Sequence, residues 1–195
     1  MGDVDLRFQR IYDEYYEKIN RYLVRIIGDR EAEDLTQEVF IKIGKSLETF
    51  RGEAQLSTWI YRIATHAALD RFRASHVHES RNVFADDFES TEENKNSWTG
   101  EPESSTEQKV IREEMNECIR GIINTLPDSY RTVIILSELE GLKDSEIAQI
   151  MGTSLQATKI RIHRARARLK DELTKACVFY QDEQSGFACD RQNPL

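Results

Sequence analysis

The 195-residue chain is poor in the residues that would take it out of the soluble helical class. It has three cysteines, Cys118, Cys177 and Cys189, an odd number that cannot all pair within one chain, which argues against an extracellular disulfide scaffold. Three prolines, nine glycines and few strand-like alternations leave little turn and strand signal, so an all-helical protein is expected. No run of about 18 apolar residues exists, and no membrane insertion is expected. Residues 1–9 lack a basic start followed by an apolar stretch, so no secretory signal is expected either. The expected compartment is a reducing cytoplasm.

Charge is abundant but unevenly placed. The formal net charge is −8, from 27 Lys and Arg against 35 Asp and Glu. Residues 79–108 alone hold nine acids and two bases, leaving the rest of the chain close to neutral. This stretch is rich in Ser, Glu and Asn and cannot bury enough apolar surface to offset its ordering entropy. It reads as a flexible linker between two helical units, because a structureless loop of about 30 residues is unusual inside one compact domain. The opposite feature lies in residues 155–170, with six bases, His163 and no acid. Concentrated positive charge on one helix of an acidic protein is the footprint of a nucleic-acid contact.

Periodicity supplies the elements. Ile11, Tyr15, Ile19, Tyr22, Leu23 and Ile26 recur at helical steps, with Gly28 as a stop and Asp29 as the next cap. Ala32, Leu35, Val39, Ile43 and Leu47 carry a second inward stripe, and Asp34, Gln37, Glu38 and Lys42 fall outward. After the polar loop 51–57, Ser57 suits a cap before a third helix with Trp59, Ile60, Ile63 and Ala67 inward. Beyond the linker, Ser105 and Gln108 have capping-box spacing, followed by Ile111, Met115, Cys118, Ile119, Ile122 and Leu126. Pro127-Asp128 restarts the chain, with Asp128 as cap and with Tyr130, Val133, Ile134 and Leu139 inward.

Gly152-Thr153-Ser154 then joins two short helices in the manner of a helix-turn-helix. Gly152 supplies the left-handed corner and Ser154 a cap. Leu155, Thr158, Ile162, Ala165 and Leu169 share an inward side, and Gln156, Ala157, Ile160, His163 and Arg164 the outward one, flanked by Lys159, Arg161, Arg166 and Arg168. Gln is suited to adenine and Arg to guanine in the major groove, while flanking Lys and Arg hold phosphates.

Four motifs in order carry a resemblance: Asp34-Leu35-Thr36-Gln37-Glu38-Val39-Phe40, Phe50-Arg51-Gly52-Glu53 leading to Ser57-Thr58-Trp59-Ile60-Tyr61-Arg62-Ile63-Ala64, Leu126-Pro127, and Arg161-Ile162-His163-Arg164-Ala165-Arg166. Over residues 6–175 the chain resembles a sigma-70-family factor of the extracytoplasmic-function group, the dissociable promoter-recognition subunits of bacterial RNA polymerase. The resemblance implies an all-α fold of two small helical domains joined by a flexible acidic linker, the second containing the helix-turn-helix. Its divisions are 1–78 (region 2), 79–108 (linker), 109–175 (region 4) and 176–195 (a cysteine-containing tail).

The implied partners are the polymerase core, through its β′ clamp helices and β flap, promoter DNA, and an anti-sigma factor. The implied core-polymerase contacts are Asp34, Gln37, Glu38 and Phe40, as an exposed polar and apolar patch. The implied −10 element contacts are Arg51, Gly52, Glu53, Trp59, Arg62, His66, Arg71 and Arg73. Here the loop 51–57 offers a pocket for an unpaired base, and Trp59 is either a stacking wedge or plain core. The implied −35 contacts are Gln156, Ala157, Lys159, Ile160, Arg161, His163, Arg164 and Arg166. The acidic linker, with Asp86, Asp87, Glu89, Glu92 and Glu93, is implied to lie in a basic channel of the polymerase.

The chain departs from the family pattern at several places. His66 stands where Asn is common, and Ala157, Thr158 and Ile160 replace Thr, Val and Ser, so the promoter sequence does not transfer. Lys143 replaces a frequent Ser cap, which leaves Asp144 to cap that helix.

Two other function classes account for less of the sequence. A dimeric operator-binding regulator accounts for the helix-turn-helix but leaves the motifs at 34–40 and 50–64 without a role. An enzyme finds no nucleophile–base pair, phosphate-cradling glycine loop or metal cluster, and neither a cofactor nor a metal is expected. His76 and His78 read as solvated. Cys177 and Cys189, twelve residues apart, are too widely spaced for a zinc knuckle. Either they are incidental, with Phe179, Tyr180 and Phe187 folding back on the second domain, or they are the pair of a redox or metal sensor.

Overall fold

The computed structural model describes residues 2–76, 117–182 and 186–191. The expected linker, the Ser105–Gln108 box, Ile111, Met115 and His78 lie outside them. Helices α1 (Gly2–Ile27), α2 (Asp29–Ser46) and α3 (Leu56–His76) come first, with a short 3-10 turn Leu47–Thr49 after α2. Then come α4 (residues 117–125), α5 (Asp128–Ile134), α6 (Asp144–Met151) and α7 (Leu155–Ala176), and two strands, β1 (Cys177–Asp182) and β2 (Gly186–Arg191). The fold is all-α in its domains, as expected; the hairpin confined to the tail was not anticipated.

The described residues form two compact units. In the first, α1–α3 pack with Pro127–Ala165. Its core is the union of the stripes read from the sequence. Ile19, Leu23 and Ile26 of α1, Leu35, Val39 and Ile43 of α2, and Ile60, Ala64 and Ala68 of α3 are all essentially inaccessible. Burying each large aliphatic side chain contributes about 1.5–3 kcal/mol, which is why these stripes set the bundle. Tyr22 is also fully buried, and its phenol donates to Thr65 Oγ1 at 2.6 Å, whose own proton goes to the Tyr61 carbonyl at 2.7 Å. A buried hydroxyl without such a partner would cost about 1–3 kcal/mol.

Gly28 joins α1 to α2 without a loop. Its φ of 87° is left-handed backbone, and its N–H still closes α1 on the Val24 carbonyl at 3.0 Å. The expected caps sit one position early. Gly28, Pro127 and Lys143 are the N-cap residues, so Asp29, Asp128 and Asp144 are the first helical residues instead. There their carboxylates lie at the positive end of the helix dipole. At α6 it is Glu146 that accepts the Lys143 N–H, at 2.8 Å. Ser57 lies inside α3, which starts at Leu56.

After Ile134 the chain widens into a π-helical turn, Ile135–Leu139. The extra residue shifts the inward phase. Ile135 and Leu136 are buried, whereas Leu139, expected inward, is 43% exposed.

The second unit contains α4, α7 from Arg166, and the hairpin. Cys118, Ile123 and Leu126 are its buried positions on and after α4, and Cys177 is buried at the start of β1. The strands are antiparallel, with Cys177 opposite Arg191, Phe179 opposite Cys189 and Asp182 opposite Gly186.

Candidate nucleic-acid interface

The recognition helix α7 starts behind a built corner. Gly152 has φ 66° and ψ 32°, a conformation costly for any residue with a Cβ. Ser154 Oγ accepts the Ala157 N–H at 3.1 Å, the expected cap, and the Thr153 and Thr158 hydroxyls are 2.8 Å apart. Thr158, Ile162 and Ala165 are buried and fix the rotation of the helix. Gln156, Lys159, His163 and Arg166 are exposed at steps of three and four, one continuous stripe, with Ala157, Ile160, Arg161 and Arg164 half-buried beside it. Leu155, expected inward, is 46% exposed, because the first turn of α7 projects past the corner that buries Thr158. Arg168 is 3.1 Å from Glu172, a neutralising partner one turn on.

The second set lies on and before α3. Arg51, Gly52, Glu53, Arg62 and His66 are exposed. Trp59 is half-buried and stacks against Phe50 with ring centroids 4.8 Å apart, so it is both part of the packing and part of the surface. A groove of about 390 Å³ brings Glu53, Trp59 and Arg62 together with Gln149, Gly152 and Thr153 of the helix-turn-helix. His66 Nε2 donates to the Ile150 carbonyl at 3.1 Å, which puts the ring proton on that nitrogen. Arg71 and Arg73, expected on phosphates, are instead paired within the chain. Arg71 donates to Glu38 at 2.8 Å and lies 3.5 Å from Glu31, and Arg73 donates to Asp70 at 2.8 Å.

The residues that sequence reasoning missed hold α5 and its π-helical extension to α1 and α3. Glu140 accepts from Arg25 and from the Tyr61 phenol, the latter at 2.6 Å. Burial, and then the adjoining Glu140 carboxylate, push the Tyr61 phenol well above its ordinary range. Arg131 donates to the Ile26 carbonyl at 3.2 Å and lies over the Phe72 ring at 5.2 Å, and burial lowers its pKa from the usual arginine value. The available signal was Tyr61, a polar aromatic next to Ile60 on the same helix, and the acid Glu140 just ahead of Gly141.

Asp34, Gln37 and Glu38 are exposed as expected, but Phe40 is only 3% exposed. Its ring packs edge-on against Tyr12 at 5.1 Å and beside Tyr16 at 5.5 Å, so it belongs to the core and not to an exposed patch. The exposed apolar residue next to it is Ile41, at 57%. Phe8, Tyr12, Tyr16, Gln37, Phe40 and Ile41 line an open groove, with Phe40 at its base.

Comparison with known proteins places two family models on the chain: Sigma-70 region 2 on residues 11–76 and Sigma-70, region 4 on residues 116–169. The RNA polymerase sigma factor YlaC of Bacillus subtilis is 35% identical over 168 residues, covering 85% of this chain and 91% of that protein. The ECF RNA polymerase sigma factor SigW of the same organism is 34% identical over 175 residues, covering 88% and 91%. Among solved structures, the sigma factor RpoE of Bartonella quintana, in complex with the anti-sigma factor NepR, shares the fold with a TM-score of 0.61. It is 20% identical over 86% of this chain and 97% of that one.

Proposed function

The chain belongs to the extracytoplasmic-function group of the sigma-70 family, and from that premise we propose which of its surfaces meet the polymerase and the promoter. As a sigma factor of RNA polymerase it is a transcription initiation factor and not an enzyme. Residues 1–78 are the module for core polymerase and the −10 element, 109–175 the module for the −35 element, 79–108 the connecting strap and 176–195 a tail.

Asp34, Gln37 and Glu38, with Ile41 and the aromatic groove beside them, meet the β′ clamp helices; Phe40 supports that surface from beneath. Arg51, Gly52, Glu53, Trp59, Arg62 and His66 face the −10 element, with Arg71 and Arg73 released from their intramolecular pairs to hold phosphates. Gln156, Ala157 and Ile160 meet base edges of the −35 element, and Lys159, Arg161, His163, Arg164 and Arg166 hold its backbone. The β flap contacts the same module. The cytoplasm is the proposed location, and no described helix is long and apolar enough to cross a membrane. An anti-sigma factor is the proposed regulator; the solved structure that shares this fold is a complex with one.

The observation that carries the reading is the exposed stripe Gln156, Lys159, His163 and Arg166 on a capped helix of an acidic chain. The His66–Ile150 hydrogen bond and the groove lined by Trp59, Arg62 and Thr153 set the helix-turn-helix beside the proposed −10 surface of α3.

The test is run-off transcription with core RNA polymerase on templates selected from genomic fragments. The full chain directs initiation from a defined subset. Gln156→Ala relaxes base preference at one −35 position, costing about 1–3 kcal/mol there, and Lys159→Ala weakens binding across sequences and lowers its salt dependence. A chain that footprints palindromic DNA unaided and leaves start-site choice unchanged is an operator binder instead.

A further inference from the structure

Cys118, on α4, and Cys177, the first residue of β1, are 59 positions apart in the chain, yet their sulfurs are 3.5 Å apart and both thiols are free. Both are buried, at 7% and 3% exposure, whereas Cys189 on β2 is half-exposed. Strand register puts the third sulfur on the same face of the hairpin. Residues opposite each other in an antiparallel pair share a face, and Cys189 is opposite Phe179, two residues along from Cys177. Val178 and Tyr180, on the other face, are 50% and 41% exposed, so the cysteine face is the covered one. The Cys177 sulfur lies 3.5 Å from that of Cys118, and Cys189 is close enough to perturb the Cys177 thiol. Among the described residues no group of three or more His, Cys, Asp or Glu side chains is arranged to hold a metal ion.

We propose that Cys118 and Cys177 are a disulfide-forming pair, oxidised by hydrogen peroxide through the more accessible Cys189. The Cys189 thiolate attacks one peroxide oxygen; an S–O bond forms, the O–O bond breaks, and the leaving hydroxide takes a proton and departs as water. The Cys177 sulfur then attacks the sulfenic sulfur; an S–S bond forms, the S–O bond breaks, and the hydroxide leaves with the Cys177 proton as a second water. Last, the Cys118 sulfur attacks Cys177, and Cys189 leaves as a thiolate that takes up the Cys118 proton. One peroxide and two thiols give one disulfide and two waters.

Burial, followed by its two thiol neighbours, pushes the Cys177 thiol up to about 12, so Cys177 stays protonated at neutral pH and is not the group that meets peroxide. The sulfurs need to close from 3.5 Å to about 2.05 Å, a movement within the reach of side-chain rotation. The bond would close the segment 118–177, which contains the whole helix-turn-helix, into a loop. The inference rests on the thiol geometry and not on the promoter reading.

The experiment uses the reduced, chelator-treated full chain, exposed to hydrogen peroxide, then unfolded in alkylating agent and mapped by mass spectrometry. The expected result is a Cys118–Cys177 cross-link two hydrogens lighter than the separate peptides, with Cys189 alkylated. The denaturation midpoint rises on oxidation and falls back with thiol reductant. Cys189→Ser slows the cross-link by about tenfold or more, because only the buried thiols then remain to meet peroxide. A stable Cys177–Cys189 product, over-oxidation of Cys189 with Cys118 and Cys177 both still alkylatable, or an unchanged cross-linking rate in Cys189→Ser overturns it. The mapping uses the wild-type chain, so the outcome does not depend on whether a Cys118 or Cys177 variant folds.

Discussion

The Arg71 guanidinium donates to the Glu38 carboxylate at 2.8 Å, joining α3 to α2 across residues assigned to two different partners. The side chains are 37% and 52% exposed, so the pair contributes at most about 1 kcal/mol to stability. Glu38→Gln and Arg71→Gln therefore each shift the unfolding free energy by less than about 1 kcal/mol, and a double-mutant cycle by denaturation gives a coupling no larger. Their functional effects separate: Arg71→Gln weakens promoter DNA binding and Glu38→Gln weakens core-polymerase binding. Equal losses in both assays for either variant would remove the division of the surface proposed here.

Phe40 and Ile41 are neighbours with opposite fates. Phe40→Ala empties a site walled by Tyr12 and Tyr16 and costs about 3–5 kcal/mol of stability. Ile41→Ala, at an exposed position, leaves stability within about 0.5 kcal/mol and weakens polymerase binding. Denaturation curves and a core-binding assay on the two variants distinguish the roles.

Glu140 gathers Arg25 and Tyr61 under one carboxylate. Glu140→Ala leaves a half-buried guanidinium and a buried phenol without that acceptor and destabilises the unit by about 1–3 kcal/mol. Because the same carboxylate holds the π-helical turn to α1 and α3, the variant also frees His66 for DNA. Affinity for a −10 single strand rises while stability falls, a combination that simple misfolding does not produce.

Alkaline pH acts most strongly through two buried phenols and the Cys177 thiol. Burial raises the Tyr22 and Tyr61 pKa values above the ordinary value of 10.0. Each holds its proton more tightly folded than unfolded, so its contribution is complete below pH 10 and is lost as pH rises beyond it. Stability measured by urea denaturation at stepped pH should begin to fall above pH 9 through the raised Cys177 thiol and steepen above pH 10 as the two phenols add up to two protons to the slope, and Tyr61→Phe should reduce the slope by one.

Gly152→Ala tests the corner alone. An added Cβ meets nothing within 4 Å, so the cost is left-handed backbone strain of about 1 kcal/mol. Thermal unfolding should register that loss, with weaker −35 binding in proportion.

The stripes of α1–α3 and the Gly152–Ser154 corner were legible because apolar period and turn chemistry are local signals. Leu35, Val39, Ile43, Thr158 and Ile162 are all buried where helical spacing places them. Phe40 was misplaced because its burial depends on Tyr12 and Tyr16 of another helix, which periodicity along α2 does not report. Glu140, Arg131 and the pairing of Arg71 were missed for the same reason: a charge reads as solvated until the partner that comes from a distant segment is known. The approach of Cys118 to Cys177 likewise needs the hairpin, whereas the spacing of the tail's cysteines pointed only to Cys177 with Cys189.

The π-helical turn after Ile134 has a geometric outcome of its own. A surplus residue rotates all that follows by roughly 100°, the angular step of one helical position. Glu140, the corner and the start of the reading helix take their heading from that single insertion, so the compass of the module is set by one surplus amino acid in a partly buried turn.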